Sequence, residues 1–165
     1  GVGRLTPPKD FPTFLHAFAR VRRQMPARLV ILGEGELRPQ LEQLAAELGI
    51  QGDFDLHGFD PNPFRYMARA DVFVLSSQYE GLPNVLIQAM ACGCPVVSTN
   101  CRSGPEEILD GGKYGELVPV GDAEAMAQAI LRVLRGERKP VPREWLEKFE
   151  EERVVSQYLK LLLNS

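Results

Sequence analysis

The 165-residue sequence has the length and composition of one globular domain, with 44% hydrophobic and 25% charged residues. Its net charge of -3 argues against general nucleic-acid binding, which rests on an excess of Lys and Arg on one face. No run approaches the roughly 18 apolar residues that span a bilayer, and no signal segment opens the chain, so we expect a soluble domain.

Cys92, Cys94 and Cys101 lack the spacing of a disulfide framework or a zinc site, and we expect buried thiols in a reducing compartment.

Short apolar runs alternate with segments of helical period, a pattern typical of a parallel sheet with helices on both faces. The opening "GVG" indicates part of a first strand. A helix is predicted after Asp10, which suits an N-cap, with Pro12 in the first turn. The next elements are a buried strand at "RLVIL", a helix closed by Gly49, a strand at "DFDLHGF" and a short helix at "NPFRYMARA".

The second half of the chain continues this alternation. Strands are predicted at "DVFVLS", "PVVST" and "GELVPV", and helices at "PNVLIQAMAC", ended by Gly93, and at "DAEAMAQAILRVLRG", capped by Asp122. We therefore predict a Rossmann-like, doubly wound parallel sheet of about six strands. A last helix over about 143–163 is expected to pack toward an N-terminal domain that is missing from this sequence, so that 1–165 forms one domain of a larger protein.

One residue stands out in the stretch 82–94, where nearly every other side chain is apolar or small. Gln88 is the long polar exception. A helix that is apolar on all sides is normally buried, so we expect the helix over 83–92 to be buried and Gln88 to need a hydrogen-bond partner. Asn84 and Gln88 are i, i+4 neighbours and are expected to share a face toward a ligand.

Candidate ligand-binding residues occur in the loops that leave strands and enter helices, where open α/β sheets bind their ligands. Arg4 and Lys9 precede a helix N-terminus and could hold a diphosphate, the alternative being two unrelated surface cations. Glu80 stands beside Gly81 and before a helix. Its carboxylate could accept two sugar hydroxyls or could merely stabilise the helix dipole, and the residues leave both interpretations open.

Four stretches together resemble the C-terminal half of the group 1, or family four, glycosyltransferases of the GT-B fold, over 1–134 and at family spacing. These are "VGRLTPPKDFPTFLHAF", "LVILGEGELRPQLEQLAAELG", "LHGFDPNPFRYMARADVFVLSSQYEGLPNVLIQAMACGCPVVSTNCRSGPEEIL" and "YGELVPVGDAEAMAQAI". In that family the C-terminal domain holds a nucleotide-sugar donor and the N-terminal domain holds the acceptor. The reaction retains anomeric configuration and needs no metal, so the resemblance implies no cofactor.

The resemblance also implies site residues. Arg4 and Lys9 match the basic pair on the donor diphosphate, and Glu80 matches the first glutamate of the Glu-x7-Glu motif, which contacts the transferred sugar. The second glutamate, which usually holds the ribose, falls on Gln88, so this sequence departs from the family there. A further set of donor-binding positions comprises Gly3, Gly58, Phe59, Gly81, Leu82, Asn84, Val85, Ser103 and Gly104.

The function implied is the donor half of a retaining glycosyltransferase that moves a hexose or N-acetylhexosamine from uridine diphosphate to a hydroxyl acceptor. The motifs resemble members that build bacterial glycans on lipid carriers, at the cytoplasmic face of the membrane and with peripheral membrane association of the full-length enzyme. Alone, the domain is expected to bind donor without transferring sugar. Alternatives are a GT-B nucleotide-sugar epimerase and a non-catalytic nucleotide-binding module, whereas the missing Gly-x-Gly-x-x-Gly spacing disfavours an oxidoreductase.

Overall fold

The computed structural model describes residues 1–149, in which five strands alternate with seven α-helices. The strands are β1 (Leu29–Leu32), β2 (Phe54–Gly58), β3 (Phe73–Leu75), β4 (Val96–Thr99) and β5 (Glu116–Val118). The helices are α1 (Phe11–Arg22), α2 (Arg38–Glu47), α3 (Phe64–Met67), α4 (Asn84–Ala91), α5 (Pro105–Ile108), α6 (Ala123–Leu134) and α7 (Arg143–Leu146). Short 3-10 turns cover Pro7–Lys9 and Glu147–Phe149.

All strand pairs are parallel, as the alternation predicted. β1 pairs with β2, and β3, β4 and β5 pair in that order. The expected first strand is present only as an isolated parallel bridge between Val2 and Leu32. The described residues therefore hold five strands where about six were predicted, because "GVG" supplies a single bridging residue. The predicted α/β class is confirmed.

The strands form two hydrogen-bonded groups, a two-stranded sheet of β1 and β2 and a three-stranded sheet of β3, β4 and β5. Helices lie on both faces, because successive strand residues pack alternately in two hydrophobic cores. Val74 of β3 packs in one core with helices α1, α2 and α6. Its neighbours Phe73 and Leu75 pack in the other, with side chains of α3, α4 and α5. Successive strand residues point to opposite faces, so this division is that of a doubly wound sheet.

The predicted helix boundaries are confirmed at their capping residues. Asp10 accepts hydrogen bonds from the backbone N–H and the hydroxyl of Thr13, and Asp122 accepts one from the backbone N–H of Ala125 at 2.8 Å. Gly49 and Gly93, which follow α2 and α4, have φ values of +69° and +73°. Glycine adopts this left-handed conformation readily, so it ends each helix without strain.

The expectation that the helix over 83–92 is buried on all sides is wrong. α4 buries one face, formed by Leu86, Ala89 and Met90. On the rest of the helix, Asn84 and Ala91 are exposed and the other side chains are half-buried. Gln88 is half-buried and its side chain makes no hydrogen bond within 1–149, so it needs no internal partner.

The predicted last helix begins where expected, at Arg143, and is followed by the 3-10 turn that ends at Phe149. Trp145 contacts this domain itself, since its indole N–H donates to the carbonyl of Ile108 at 2.8 Å and its ring centroid lies 4.9 Å from that of Tyr114. The rest of the range predicted for this helix lies outside the described residues, and its packing toward another domain stays a prediction. Within 1–149, no helix combines the length and apolar character needed to cross a bilayer.

Candidate functional site

The loops at the carboxyl ends of the strands pack directly on one another through backbone groups. The backbone N–H of Leu5 donates to the carbonyl of Glu34 at 2.9 Å, and that of Gly33 donates to Gly58 at 2.8 Å. A Cβ at Gly33 would lie 1.9 Å from the carbonyl oxygen of Gly3, so only glycine fits there. The three loops that follow Val2, β1 and β2 are thereby held in one cluster.

A second pair of loops meets in the same way. A Cβ at Gly104 would lie 2.5 Å from Cδ of Pro83 and 3.1 Å from the carbonyl oxygen of Gly81. The loop after β4 therefore rests on the loop after β3. An isolated parallel bridge between Tyr79 and Arg102 joins them as well.

Lys9 and Glu80, two of the predicted catalytic residues, join these two groups of loops. The Lys9 ammonium lies 2.6 Å from Oε1 of Glu80 and donates a hydrogen bond to it. The side chains are 25% and 11% exposed, so the pair lies at the surface of the loop cluster but is shielded from much of the solvent. The structure thus brings together one cation and one carboxylate that sequence reasoning assigned to the same ligand.

Buried serine hydroxyls support this pair, and sequence reasoning missed them. The Ser76 hydroxyl donates to the carbonyl of Lys9 at 2.7 Å, and the Ser77 hydroxyl donates to Oε1 of Glu80 at 2.5 Å. Their signal in the sequence is the serine doublet that directly follows the buried strand β3, three residues before Glu80. A hydroxyl buried at a strand end must find an acceptor, so this doublet indicated a local polar network.

Arg4 differs from Lys9 in that it has no partner. Its side chain is exposed and forms no ion pair or hydrogen bond with any residue in 1–149. Gly3 lies beneath the Lys9 side chain, since a Cβ there would be 3.4 Å from Cδ and Cε of Lys9. One predicted cation is therefore engaged by Glu80, whereas the other is free to bind an anion.

The start of α4 contains four of the predicted donor-binding residues. Gly81, Leu82 and Asn84 are exposed and Val85 is half-buried. The helix has no side-chain cap, so N–H groups of its first turn are left without a side-chain acceptor. Gln88 follows one turn later, partly exposed. The N–H groups of Asn84 and Leu86 donate to the carbonyls of Leu82 and Pro83, so this helix end favours a negatively charged group mainly through its dipole.

Ser103 and Gly104 precede α5 in an unusual backbone conformation. Their φ values are +68° and +95°, and Ser103 is exposed. A non-glycine residue with positive φ is uncommon and is often found at functional sites. The structure places both residues beside the loop that contains Gly81, where they were expected to meet a phosphate.

Gly58, the last residue of β2, has a φ of +88°, and Phe59, which begins the loop that follows, is 79% exposed. His57 shares a hydrogen bond of 2.8 Å with the Tyr66 hydroxyl. Asp60 accepts hydrogen bonds from the Asn62 backbone and from the Arg65 side chain, which hold the pKa of its carboxyl below the usual value. This polar network fixes the loop, and Phe59 projects from it as a free aromatic surface.

The sequence of 1–136 matches the family model of the group 1 glycosyl transferases. The chain belongs to the group 1 glycosyltransferase family. This confirms the resemblance that the sequence motifs indicated. The predicted Rossmann-like fold of a C-terminal GT-B domain is also confirmed, because the match lies on the parallel α/β sheet described above.

Two relatives are similar over most of the chain. One is the N-acetylgalactosamine-N,N'-diacetylbacillosaminyl-diphospho-undecaprenol 4-alpha-N-acetylgalactosaminyltransferase of Campylobacter jejuni, 39% identical over 137 residues, which are 83% of this chain. The other is the lipopolysaccharide core biosynthesis glycosyltransferase LpsE of Rhizobium meliloti, 38% identical over 133 residues, or 81% of this chain. The matched regions span only 37% and 38% of those proteins.

A solved structure with the same fold is that of a mutant of S. aureus TarM in complex with Fondaparinux, alpha-GlcNAc-glycerol and UDP. The TM-score is 0.88 at 22% sequence identity, and the match covers 97% of this chain and 34% of TarM. At this identity the likeness concerns the fold alone. As for metal ligands, residues 1–149 contain no group of three or more His, Cys, Asp or Glu side chains arranged to bind an ion.

Proposed function

We propose that this chain is the donor-binding domain of a retaining glycosyltransferase. The donor is a uridine diphosphate hexose or N-acetylhexosamine, and the acceptor is a hydroxyl group of a growing bacterial glycan. The observation that carries the proposal is the pairing of Lys9 with Glu80 across two loops, with the unpaired Arg4 in the same loop as Lys9. Lys9 and Arg4 are placed to bind a diphosphate, and the neighbouring carboxylate of Glu80 is placed to bind sugar hydroxyls.

Each of these groups has a distinct chemical task in the proposal. Lys9 and Arg4 neutralise the negative charge that grows on the diphosphate as the glycosidic bond to the sugar breaks, a fixed electrostatic stabilisation of the transition state. The positive end of the α4 dipole favours the same negatively charged group. Glu80 accepts hydrogen bonds from sugar hydroxyls and so fixes the sugar for attack on one face.

The nucleoside lies on the other side of the diphosphate in this proposal. Gln88 accepts a hydrogen bond from the ribose through its amide oxygen, in the position that is usually a glutamate in the family. The exposed ring of Phe59 and the backbone at Gly58 border the base. An amide carries no charge, so we expect the ribose to be held more weakly than a carboxylate would hold it.

The name of one relative supports the proposed acceptor. The Campylobacter jejuni relative is named for a lipid-linked diphospho-undecaprenol acceptor, and the TarM mutant was crystallised with UDP. We infer a glycan or lipid-linked acceptor that binds mainly to a further domain, and action in the cytoplasm at the inner membrane face. Neither a metal nor another cofactor takes part. By itself the chain binds donor and does not transfer sugar.

Calorimetric titration of the 165-residue chain with uridine, guanosine and adenosine diphosphates tests the proposal. We expect saturable binding, tightest for uridine diphosphate and at least tenfold weaker for uridine, since charge-assisted bonds to the diphosphate contribute about 1.5 to 3 kcal/mol each. Absence of binding to all three diphosphates would overturn the proposal. A turnover assay on a chain that includes the acceptor domain separates a transferase from an epimerase and from a non-catalytic binding module.

A further inference from the structure

The carboxylate of Glu80 has two unequal oxygen atoms. Oε1 accepts hydrogen bonds from both Lys9 and Ser77, at 2.6 Å and 2.5 Å. Oε2 accepts none from any residue in 1–149. Since Glu80 is only 11% exposed, this arrangement fixes which oxygen faces outward. The free oxygen is the one available to a ligand.

Ser77 is itself held in place by the sheet. Its side chain is completely buried, and its backbone carbonyl accepts a hydrogen bond of 2.6 Å from the hydroxyl of Thr99. Thr99 is the last residue of β4 and is also fully buried. The Thr99 hydroxyl thus holds the backbone of Ser77, and the Ser77 hydroxyl in turn holds the Glu80 carboxylate.

Lys9 has a second acceptor when a donor is bound. On the proposed function, on which this inference also rests, the diphosphate competes with Oε1 of Glu80 for the three N–H groups of the Lys9 ammonium. Ser77 then remains as the donor to that oxygen, because its buried hydroxyl has Glu80 as its acceptor and no route to solvent. The carboxylate would otherwise lose its orientation at the moment when it must receive the sugar.

We propose that Ser77 is a positioning residue for sugar recognition. It holds Oε1 of Glu80 so that Oε2 points at the hydroxyls of the transferred sugar, and it does not touch the nucleotide. Removal of its hydroxyl should therefore weaken binding of the nucleotide sugar but leave binding of the free nucleotide unchanged. This selective loss distinguishes positioning from a general structural role.

The test compares Ser77→Ala with Ser98→Ala in calorimetric titrations of the 165-residue chain. Both serines are fully buried, and the Ser98 hydroxyl donates to the backbone carbonyl of Thr99, so each variant loses one buried hydroxyl bond. The probes are uridine diphosphate and UDP-N-acetylgalactosamine, with UDP-glucose as a second sugar. In Ser77→Ala we expect the affinity for the nucleotide sugar to fall about fivefold to tenfold relative to that for the nucleotide. Ser98→Ala should leave this ratio within about twofold of the wild-type value.

The Glu80→Ala background supplies the decisive control. If Ser77 acts through Glu80, then Ser77→Ala in that background produces no further change in the ratio of affinities. A change that persists there, or an unchanged ratio in the single variant despite normal uridine diphosphate binding, would overturn the role of Ser77 alone. Failure of the wild-type chain to bind uridine diphosphate would overturn the proposed function and this inference together.

Discussion

The ammonium group of Lys9 and Oε1 of Glu80 lie 2.6 Å apart, although 71 positions separate the two residues in the sequence. In the proposed donor complex these residues serve different parts of one molecule, the diphosphate and the sugar. Without donor they neutralise each other. A bound diphosphate would compete with Oε1 of Glu80 for the Lys9 ammonium, while Oε2 of Glu80 stays available to the sugar.

The Lys9–Glu80 pair is expected to contribute to stability in the absence of ligand. Glu80 is 11% exposed and accepts two hydrogen bonds, whereas Glu124, which pairs with Arg20, is 60% exposed. We predict that Glu80→Gln lowers the free energy of unfolding by about 1 to 3 kcal/mol, because the amide oxygen can still accept these hydrogen bonds but carries no charge to pair with Lys9. Glu124→Gln should cost less than about 1 kcal/mol. Urea denaturation of both variants measures the difference, and equal effects would contradict the structural pairing.

Gln88→Glu introduces the glutamate that the resemblance to the Glu-x7-Glu motif implies at this position. Gln88 is half-buried and makes no hydrogen bond with described residues, so a carboxylate there remains solvated. We predict that the variant binds uridine diphosphate about fivefold to tenfold more tightly, since a charged acceptor holds the ribose hydroxyls better by about 1 kcal/mol. Calorimetry measures the affinity, and thermal denaturation should show little loss of stability.

The control for Gln88→Glu is inorganic pyrophosphate, which has no ribose. Its affinity should not increase. A gain of equal size for pyrophosphate would mean that the new carboxylate acts on the site as a whole and does not contact the ribose. Strong destabilisation of the variant would mean that Gln88 is packed internally, contrary to its observed exposure.

Local sequence patterns predicted the parts of this domain that depend on local chemistry. Asp10, Asp122, Gly49 and Gly93 bound their helices as expected, because capping depends on a few adjacent residues. The burial of α4 was predicted wrongly. Its outward face contains small and apolar residues around Gln88, so residue type alone did not distinguish that face from the buried one.

The sequence predicted which residues form the candidate site but not which of them contact one another. Motif spacing selected Lys9 and Glu80, but their direct pairing depends on how two distant loops pack. The roles of Ser76 and Ser77 depend on the same packing, since each hydroxyl bonds to a partner in this loop cluster. Such tertiary hydrogen bonds leave no periodic signal in a sequence. The sequence therefore showed only two adjacent serines after a strand and not their partners.

Glu116 is expected to contribute to the loss of folding stability at acid pH. Burial alone would raise the pKa of this carboxyl, but ion pairs with Lys139 and Arg132, at 2.6 Å and 2.5 Å, lower it below the usual value. A lowered pKa stabilises the fold above the unfolded-state pKa, and this contribution disappears as the pH falls through the folded-state value. We predict that Glu116→Gln is less stable than wild type by about 1 to 3 kcal/mol at pH 7. The difference should narrow below about pH 4, as urea titrations at several pH values would show; a constant difference would contradict the assignment.

The cysteines should differ in reactivity. Burial raises the pKa of the Cys94 thiol to about 11, and burial also raises that of Cys101, whereas Cys92 is only half-buried. Thiolate is the reactive form, so Cys94 at pH 8 should react with iodoacetamide at least a hundredfold more slowly than an ordinary exposed thiol. Mass spectrometry of the alkylated folded chain should show modification at Cys92 first. Early modification of Cys94 would contradict the described packing.

The most direct test of the central claim is the effect of Arg4→Ala on the binding of uridine diphosphate and of uridine. Arg4 has no partner among the described residues, so its removal leaves no other side chain unpaired. The matched control is Arg23→Ala. Arg23 is also exposed and without a described partner, and it lies at the C-terminal end of α1. We predict that Arg4→Ala weakens uridine diphosphate binding at least about tenfold, leaves uridine binding unchanged, and that Arg23→Ala alters neither. Equal losses for the two ligands, or no loss for either, would contradict the assignment of this loop to the donor diphosphate.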